Sequence, residues 1–103
     1  MTSLITEKAE RLQAIARRRR VRRLAVFGSA VRGDFDPARS DIDVLVELDD
    51  LEPVERADAY FGLLADLEAL FGRSVDLVER SAIRNPVVRT TVEATQVIVY
   101  DAA

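Results

Sequence analysis

The sequence predicts an α/β fold in which helices cover a small mixed β-sheet. Three observations predict it: short apolar runs with strand-like periodicity recur along the chain, amphipathic helical segments lie between them, and turn-forming residues separate the two. The chain has 103 residues, of which 49% are hydrophobic, and this is enough for one packed core. We therefore expect a single domain over residues 1–103.

The first predicted elements are a helix and a short strand. Apolar residues recur at helical spacing from Ser3 to about Arg19, which predicts an amphipathic helix. Leu24–Phe27 is a short apolar run that ends in a Gly-Ser pair, as expected of a buried strand that meets a tight turn. A short helix over 29–33 and a loop over 34–40 are expected next.

The second half of the chain continues the alternation of strands and helices. Apolar residues alternate with other residues over 42–46, which is the period of a strand with one apolar face. A long amphipathic helix is predicted from Pro53 to about Phe71, with Gly72 as its C-terminal cap. The remaining predicted elements are a strand at Val75–Glu79, a helix at Val87–Ala94 capped by Asn85, and a strand at Gln96–Tyr100.

The composition excludes several kinds of functional site. The chain has no cysteine and no histidine, so disulfides, thiolate metal sites and histidine bases are excluded. Any metal site must therefore be built from oxygen, which favours Mg²⁺ or Mn²⁺. The formal net charge of -3 argues against generic binding to nucleic acid. No apolar run approaches the ~20 residues that span a bilayer, and the N-terminus has no signal-like apolar core, so we expect a cytoplasmic protein.

Three aspartates are candidate catalytic residues. Asp41 and Asp43 point to the same face of the predicted strand because they are two residues apart. Two carboxylates on one face repel each other unless a cation lies between them, so the pair favours a site for divalent ions. Asp76 lies on the strand at 75–79 and could join the same face if that strand neighbours the first. There it could ligate a metal or accept the proton of an attacking hydroxyl.

Gly28 and Ser29 are candidate phosphate-binding residues. Glycine permits close approach to the backbone, and the backbone N–H groups that open a helix favour anions. The Ser29 hydroxyl can donate to a phosphate oxygen, and Arg32, about one helical turn further on, could reach the same phosphate or instead pair with a nearby aspartate. The segment is not a P-loop, because the lysine and the second glycine of that motif are missing.

These residues occur together in an arrangement that resembles the DNA polymerase β nucleotidyltransferase superfamily. Gly28-Ser29 is followed by eleven residues, then by Asp41-Ile42-Asp43, and later by Asp76 on a strand. Three longer strings resemble the minimal nucleotidyltransferase (MNT) branch of this superfamily: FGSAVRGD from Phe27, SDIDVLVE from Ser40 and FGRSVDLV from Phe71. The resemblance covers nearly the whole chain.

The resemblance implies a polymerase β-like fold and a nucleotidyltransferase that uses ATP and two Mg²⁺ ions. Gly28 and Ser29 would hold the triphosphate, and Asp41, Asp43 and Asp76 would ligate Mg²⁺ and form the catalytic triad. Members of this branch are commonly antitoxins that pair with a HEPN-domain ribonuclease toxin, and some transfer AMP from ATP to a tyrosine of that toxin. The resemblance therefore implies a hetero-oligomer with such a toxin, with no direct binding of nucleic acid or membrane.

Other interpretations of the same residues remain open. Asp41 and Asp43 also fit the solvent-facing charges of an edge strand, and Asp76 alone fits a surface aspartate. The protein could neutralise its partner by binding alone, since no added domain that selects an acceptor is expected. A transferase for a small molecule such as an aminoglycoside is less favoured for the same reason. The arginine-rich stretch over 17–23 fits a solvated helix end or a lip that attracts phosphates.

Overall fold

A computed structural model describes residues 3–28 and 41–102, with the backbone alone for residues 3 and 4. The expected helix over 29–33 and loop over 34–40 lie outside the described residues, as do the predicted site residues Ser29 and Arg32. No helix in the described ranges is long and apolar enough to cross a membrane. The described elements are, in chain order, helix α1 (Ser3–Glu7), helix α2 (Ala9–Arg18), strand β1 (Val21–Phe27), strand β2 (Ile42–Leu48), helix α3 (Pro53–Phe71), strand β3 (Val75–Glu79), a 3₁₀ turn (Arg80–Ala82), helix α4 (Pro86–Thr95) and strand β4 (Val97–Asp101).

The strands of the described ranges form a mixed four-stranded sheet in the order β3-β2-β1-β4. β1 pairs antiparallel with both β2 and β4, whereas β2 and β3 are parallel. Helix α3 connects the two parallel strands, which is the role that a crossover helix has in a βαβ unit. The predicted fold class, a small mixed sheet with helices, is confirmed.

One face of the sheet packs against α2 and α3 to form the core. Alternate residues of β1 and β2 point to this face, where they meet buried apolar side chains of the two helices. Full burial of each such side chain contributes about 1.5–3 kcal/mol. The residues at the other alternate positions of β2, Asp43 among them, therefore point to the opposite face. The central core residues are Leu12, Ile15, Leu24, Val26, Val44, Val46, Leu63 and Leu67.

Helix α3 begins and ends where its sequence predicts. Pro53 is the first helical residue, and the Glu52 N–H donates to the Glu55 carboxylate at 3.4 Å within a capping box. At the C-terminal end Gly72 has φ 67°, in the left-handed region, and its N–H donates to the Glu68 carbonyl at 2.8 Å. These caps fix the length of the connection between β2 and β3.

The N-terminal helix and the first strand differ from their predicted bounds. The helix predicted over 3–19 is divided into α1 and α2, with Lys8 in a turn between them. β1 begins at Val21, earlier than predicted. Its first residues include arginines that form ion pairs with neighbouring strands, so this part of the strand is not an apolar run. Arg23 of β1 lies 3.4 Å from the Glu47 carboxylate and 3.5 Å from that of Asp101. Apolar periodicity misses this part of the strand, where the register between β1 and β2 is also irregular.

The arginine-rich stretch over 17–23 is largely solvent-exposed, and several of its arginines also form ion pairs. Arg18 and Arg19 both lie against the Asp66 carboxylate, at 3.0 Å and 2.7 Å, and Arg20 pairs with Glu55 at 2.9 Å. The hydrogen bond from Arg19 is the main reason that the pKa of Asp66 is lowered, with a further contribution from Arg18. These ion pairs join the end of α2 to α3.

Candidate functional site

Three strand ends meet at one edge of the sheet. β1 ends there at Phe27, which Gly28 follows, and β2 and β3 both begin there because β2 is antiparallel to β1 and parallel to β3. In register, Phe27 pairs with Asp43, and Asp43 pairs with Asp76. The topology therefore brings Gly28, Asp43 and Asp76 to neighbouring positions, with Asp41 directly before β2.

Asp43 and Asp76 lie side by side on the face of the sheet opposite α2 and α3. Adjacent strands are about 4.8 Å apart, so two residues in register are direct neighbours. Asp76 and Asp41 are exposed and Asp43 is half-buried. Because β3 is the neighbour of β2, the condition under which Asp76 can join the face of Asp41 and Asp43 is met. The core residues that flank them along the two strands are Ile42, Val44, Val75 and Leu77.

Gly28 provides the space that the Asp43 side chain occupies. Its φ of +71° lies in the left-handed region, which residues with a Cβ atom rarely adopt. A Cβ atom at Gly28 would also collide with the Asp43 carboxylate, lying 3.1 Å from Cγ and still closer to Oδ2. The sequence suggested that glycine is needed here for the approach of a phosphate. Among the described residues the Asp43 carboxylate of the neighbouring strand also approaches Gly28, a contact that only the register reveals.

The acidic residues at this edge offer oxygen ligands alone. Among residues 3–28 and 41–102, no three acidic, histidine or cysteine side chains lie close enough together to enclose a metal ion. Mg²⁺, however, is usually held by one or two carboxylates together with substrate phosphates and water, rather than by a protein cage. The adjacent pair Asp43 and Asp76 fits that mode of binding, and Asp41 precedes Asp43 by two positions.

Two side chains of α3 bond to the backbone of β3 beside Asp76, and neither stands out in the sequence. The Tyr60 hydroxyl donates to the Leu77 carbonyl at 2.7 Å, and the Glu68 carboxylate accepts from the Val75 N–H at 3.2 Å. Burial raises the pKa of Tyr60, and the negative charges of Glu79 and Asp76 raise it further, so the hydroxyl keeps its proton at neutral pH. No sequence signal identifies these residues, because their bonds depend on how α3 packs against β3.

Comparison with known proteins shows that the chain is similar to nucleotidyl-transferring enzymes. The family model for the nucleotidyltransferase domain matches residues 8–98. The protein adenylyltransferase MntA of Thermococcus cleftensis is 37% identical over 70 residues, which cover 68% of this chain and 67% of that protein. A Methanocaldococcus jannaschii protein, provisionally named a protein adenylyltransferase, is 36% identical over 74 residues, which cover 72% of each protein.

Solved structures share the same fold. A provisionally identified minimal nucleotidyltransferase superposes with a TM-score of 0.69 at 26% identity, over 90% of both chains. A toxin–antitoxin complex with AMP-PNP contains a chain with a TM-score of 0.67 at 22% identity, over 91% of this chain and 73% of that chain. The complex of an MNT antitoxin with the tri-AMPylated HEPN toxin of Shewanella oneidensis gives a TM-score of 0.62 at 19% identity, over 94% and 72%.

Proposed function

Because the chain belongs to the nucleotidyltransferase domain family, we propose that it transfers AMP from ATP to a tyrosine hydroxyl of a HEPN toxin and so acts as an antitoxin. Relatives named protein adenylyltransferase support the reaction. The fold shared with an MNT antitoxin in complex with an AMPylated HEPN toxin supports the choice of partner. The two proteins would form a hetero-oligomer in the cytoplasm, where ATP is abundant.

The observation that carries this proposal is the register of three strands at one edge of the sheet. It sets Asp43 between Asp76 on one neighbouring strand and Gly28 at the end of the other. Two adjacent carboxylates repel each other, which disfavours such a pair as mere surface charges. A divalent cation shared by the two carboxylates removes that repulsion. The buried neighbours of Asp43 in β2 hold it on a rigid strand, as a preorganised site requires.

Asp41, Asp43 and Asp76 are the residues that would hold Mg²⁺, as a pair of ions. When bound, such ions neutralise phosphate charge and stabilise the attacking and leaving oxygens of an in-line displacement. In the proposed reaction the acceptor hydroxyl oxygen forms a bond to the α-phosphorus of ATP, and the bond from that phosphorus to the bridging oxygen breaks. Pyrophosphate leaves. Asp76 accepts the hydroxyl proton, since the chain has no histidine that could do so.

The remaining predicted residues would bind the nucleotide. Gly28 directly follows β1, beside the proposed ligand Asp43, and Ser29 is the next residue in the sequence. We assign Ser29 and Arg32 to the triphosphate on the chemistry of their side chains, a hydroxyl donor and a guanidinium that pairs with phosphate oxygens. These two assignments can be tested by substitution to alanine, which should raise the KM for ATP.

The experiment that tests the proposal is transfer of label from α-labelled ATP to the co-purified partner in the presence of Mg²⁺. The test variant is Asp41→Ala/Asp43→Ala. A matched control is Asp49→Ala/Asp50→Ala, which removes the same charge just beyond the opposite end of β2. We expect label on the partner with the natural protein and the control, and none with the test variant.

Two outcomes would contradict the proposal in different ways. Retained transfer in the Asp41→Ala/Asp43→Ala variant would show that these carboxylates are not the catalytic residues. Absence of label with the natural protein, on a folded and correctly paired partner and with every nucleotide tried, would favour the alternative that the protein neutralises its partner by binding alone. In that case the double variant should still neutralise the partner.

A further inference from the structure

Strand β3 is the outermost strand on one side of the described sheet, and Asp76 is one of its five residues. Among the strands that the structure describes, β2 alone pairs with β3, along one of its two sides. The Ile42 N–H donates to the Ser74 carbonyl at 3.2 Å, so the backbone groups of Ser74 and Asp76 face β2. Those of Val75 and Leu77 then face away from the sheet. An edge strand has backbone partners on one side only, so its outward-facing groups must find partners elsewhere.

Side chains of α3 bond to the outward-facing groups on both sides of Asp76. Glu68 accepts from the Val75 N–H at 3.2 Å, and Tyr60 donates to the Leu77 carbonyl at 2.7 Å. Tyr60 and Glu68 are eight residues apart, about two helical turns, so they lie on one face of α3. The backbone around Asp76 is therefore held by β2 on one side and by α3 on the other.

We propose that Tyr60 and Glu68 are positioning residues that fix the carboxylate of Asp76 for nucleotidyl transfer. This inference rests on the proposed function. The two side chains act through the backbone of β3. Loss of either bond frees one side of the edge strand next to Asp76, and the carboxylate then samples positions that do not fit the metal and nucleotide. Second-layer partners of metal ligands typically affect metal affinity or activity by about 10–100-fold.

The test uses variants that remove one bond at a time. Tyr60→Phe removes the hydroxyl and keeps the ring. Glu68→Leu removes the acceptor, whereas Glu68→Gln keeps an acceptor oxygen at the same distance along the side chain. The matched control is Arg56→Gln, which removes a 2.6 Å ion pair from the same helix to Glu79 of the same strand, three residues beyond Asp76.

Two readouts are measured on the full chain in complex with its partner. One is the binding of Mn²⁺ in the presence of AMP-PNP, followed by electron paramagnetic resonance. The other is the dependence of labelled AMP transfer on Mg²⁺ concentration. We expect Tyr60→Phe and Glu68→Leu to weaken Mn²⁺ binding and raise the half-saturating Mg²⁺ concentration, each by about tenfold. Glu68→Gln and Arg56→Gln should stay close to the natural protein.

The outcomes separate this inference from the proposed function. The inference is wrong if Tyr60→Phe and Glu68→Leu bind Mn²⁺ like the natural protein, or if Arg56→Gln weakens binding equally, which would indicate a general loss of stability. If Tyr60→Phe does not fold, the comparison of Glu68→Leu with Glu68→Gln still decides. Failure of the proposed function has another sign, since the natural protein itself would then bind no Mn²⁺ with AMP-PNP and transfer no label.

Discussion

Replacement of Gly28 by alanine tests the geometry at the centre of the site. The substitution has two costs. Placing a residue with a Cβ atom in the left-handed region lowers the free energy of unfolding by about 1–2 kcal/mol. The new Cβ atom also meets the Asp43 carboxylate, and moving that side chain away from its rotamer costs about 0.5–1.5 kcal/mol more. We expect Gly28→Ala to destabilise the protein by roughly 1.5–3.5 kcal/mol and to abolish AMP transfer, because Asp43 is displaced.

Gly72→Ala is a control for the backbone cost alone. Gly72 has φ +67°, nearly the same as Gly28, but its Cβ would have no atom within 4 Å from any described residue beyond its two chain neighbours. The free energy of unfolding of this variant should fall by about 1–2 kcal/mol, and its transfer activity should be unchanged. The difference between the two variants isolates the collision with Asp43.

The assay is urea or thermal unfolding of the two single variants and of each substitution in an Asp43→Ala background. For a domain of this size each kcal/mol corresponds to about 4–8 °C in Tm. With the carboxylate removed, the excess cost of Gly28→Ala over Gly72→Ala should disappear. If the excess persists in the Asp43→Ala background, or if Gly28→Ala transfers AMP normally, the reasoning about this contact is refuted.

Two further predictions concern stability. Arg19 lowers the pKa of Asp66 in the folded state, so this ion pair stabilises the fold above the ordinary aspartate pKa and is lost as the pH falls below about 4. Asp66→Asn should therefore have a smaller free energy of unfolding at pH 7 than the natural protein, and should lose less of it between pH 5 and 2. If the variant and the natural protein lose the same stability between pH 5 and 2, this prediction is wrong. Asn85 caps α4 by accepting from the N–H groups of Val87 and Val88 at 2.9 and 3.4 Å. Asn85→Ala should cost about 1 kcal/mol in the same assay, and Asn85→Ser much less; equal losses would argue against the cap.

Local chemistry explains which elements the sequence predicts well. Helix α3 was expected from Pro53 to about Phe71 with a cap at Gly72, and the structure has these bounds. The Asn85 cap is likewise as predicted. Caps and amphipathic spacing depend on residues within a few positions of one another, so they can be recognised without knowledge of the fold.

Contacts between distant segments explain what the sequence leaves out. Four arginines of the 17–23 stretch form ion pairs with Glu47, Glu55 and Asp66, which belong to other elements. The close approach of the Asp43 carboxylate to Gly28 depends on strand order, and the bonds from α3 to β3 depend on helix packing. Periodicity carries no information about these pairings, so the position of Asp76 beside Asp43 could be stated from sequence only as a condition on strand order.

The central claim is that carboxylates at one edge of the sheet carry out AMP transfer to the partner. Its most direct test is the intact mass of the partner after co-expression with the natural protein, with Asp41→Ala/Asp43→Ala and with the control Asp49→Ala/Asp50→Ala. We predict AMP additions on the partner with the natural protein and the control, and an unmodified partner with the test variant. AMP additions that persist with the Asp41→Ala/Asp43→Ala variant would contradict the claim.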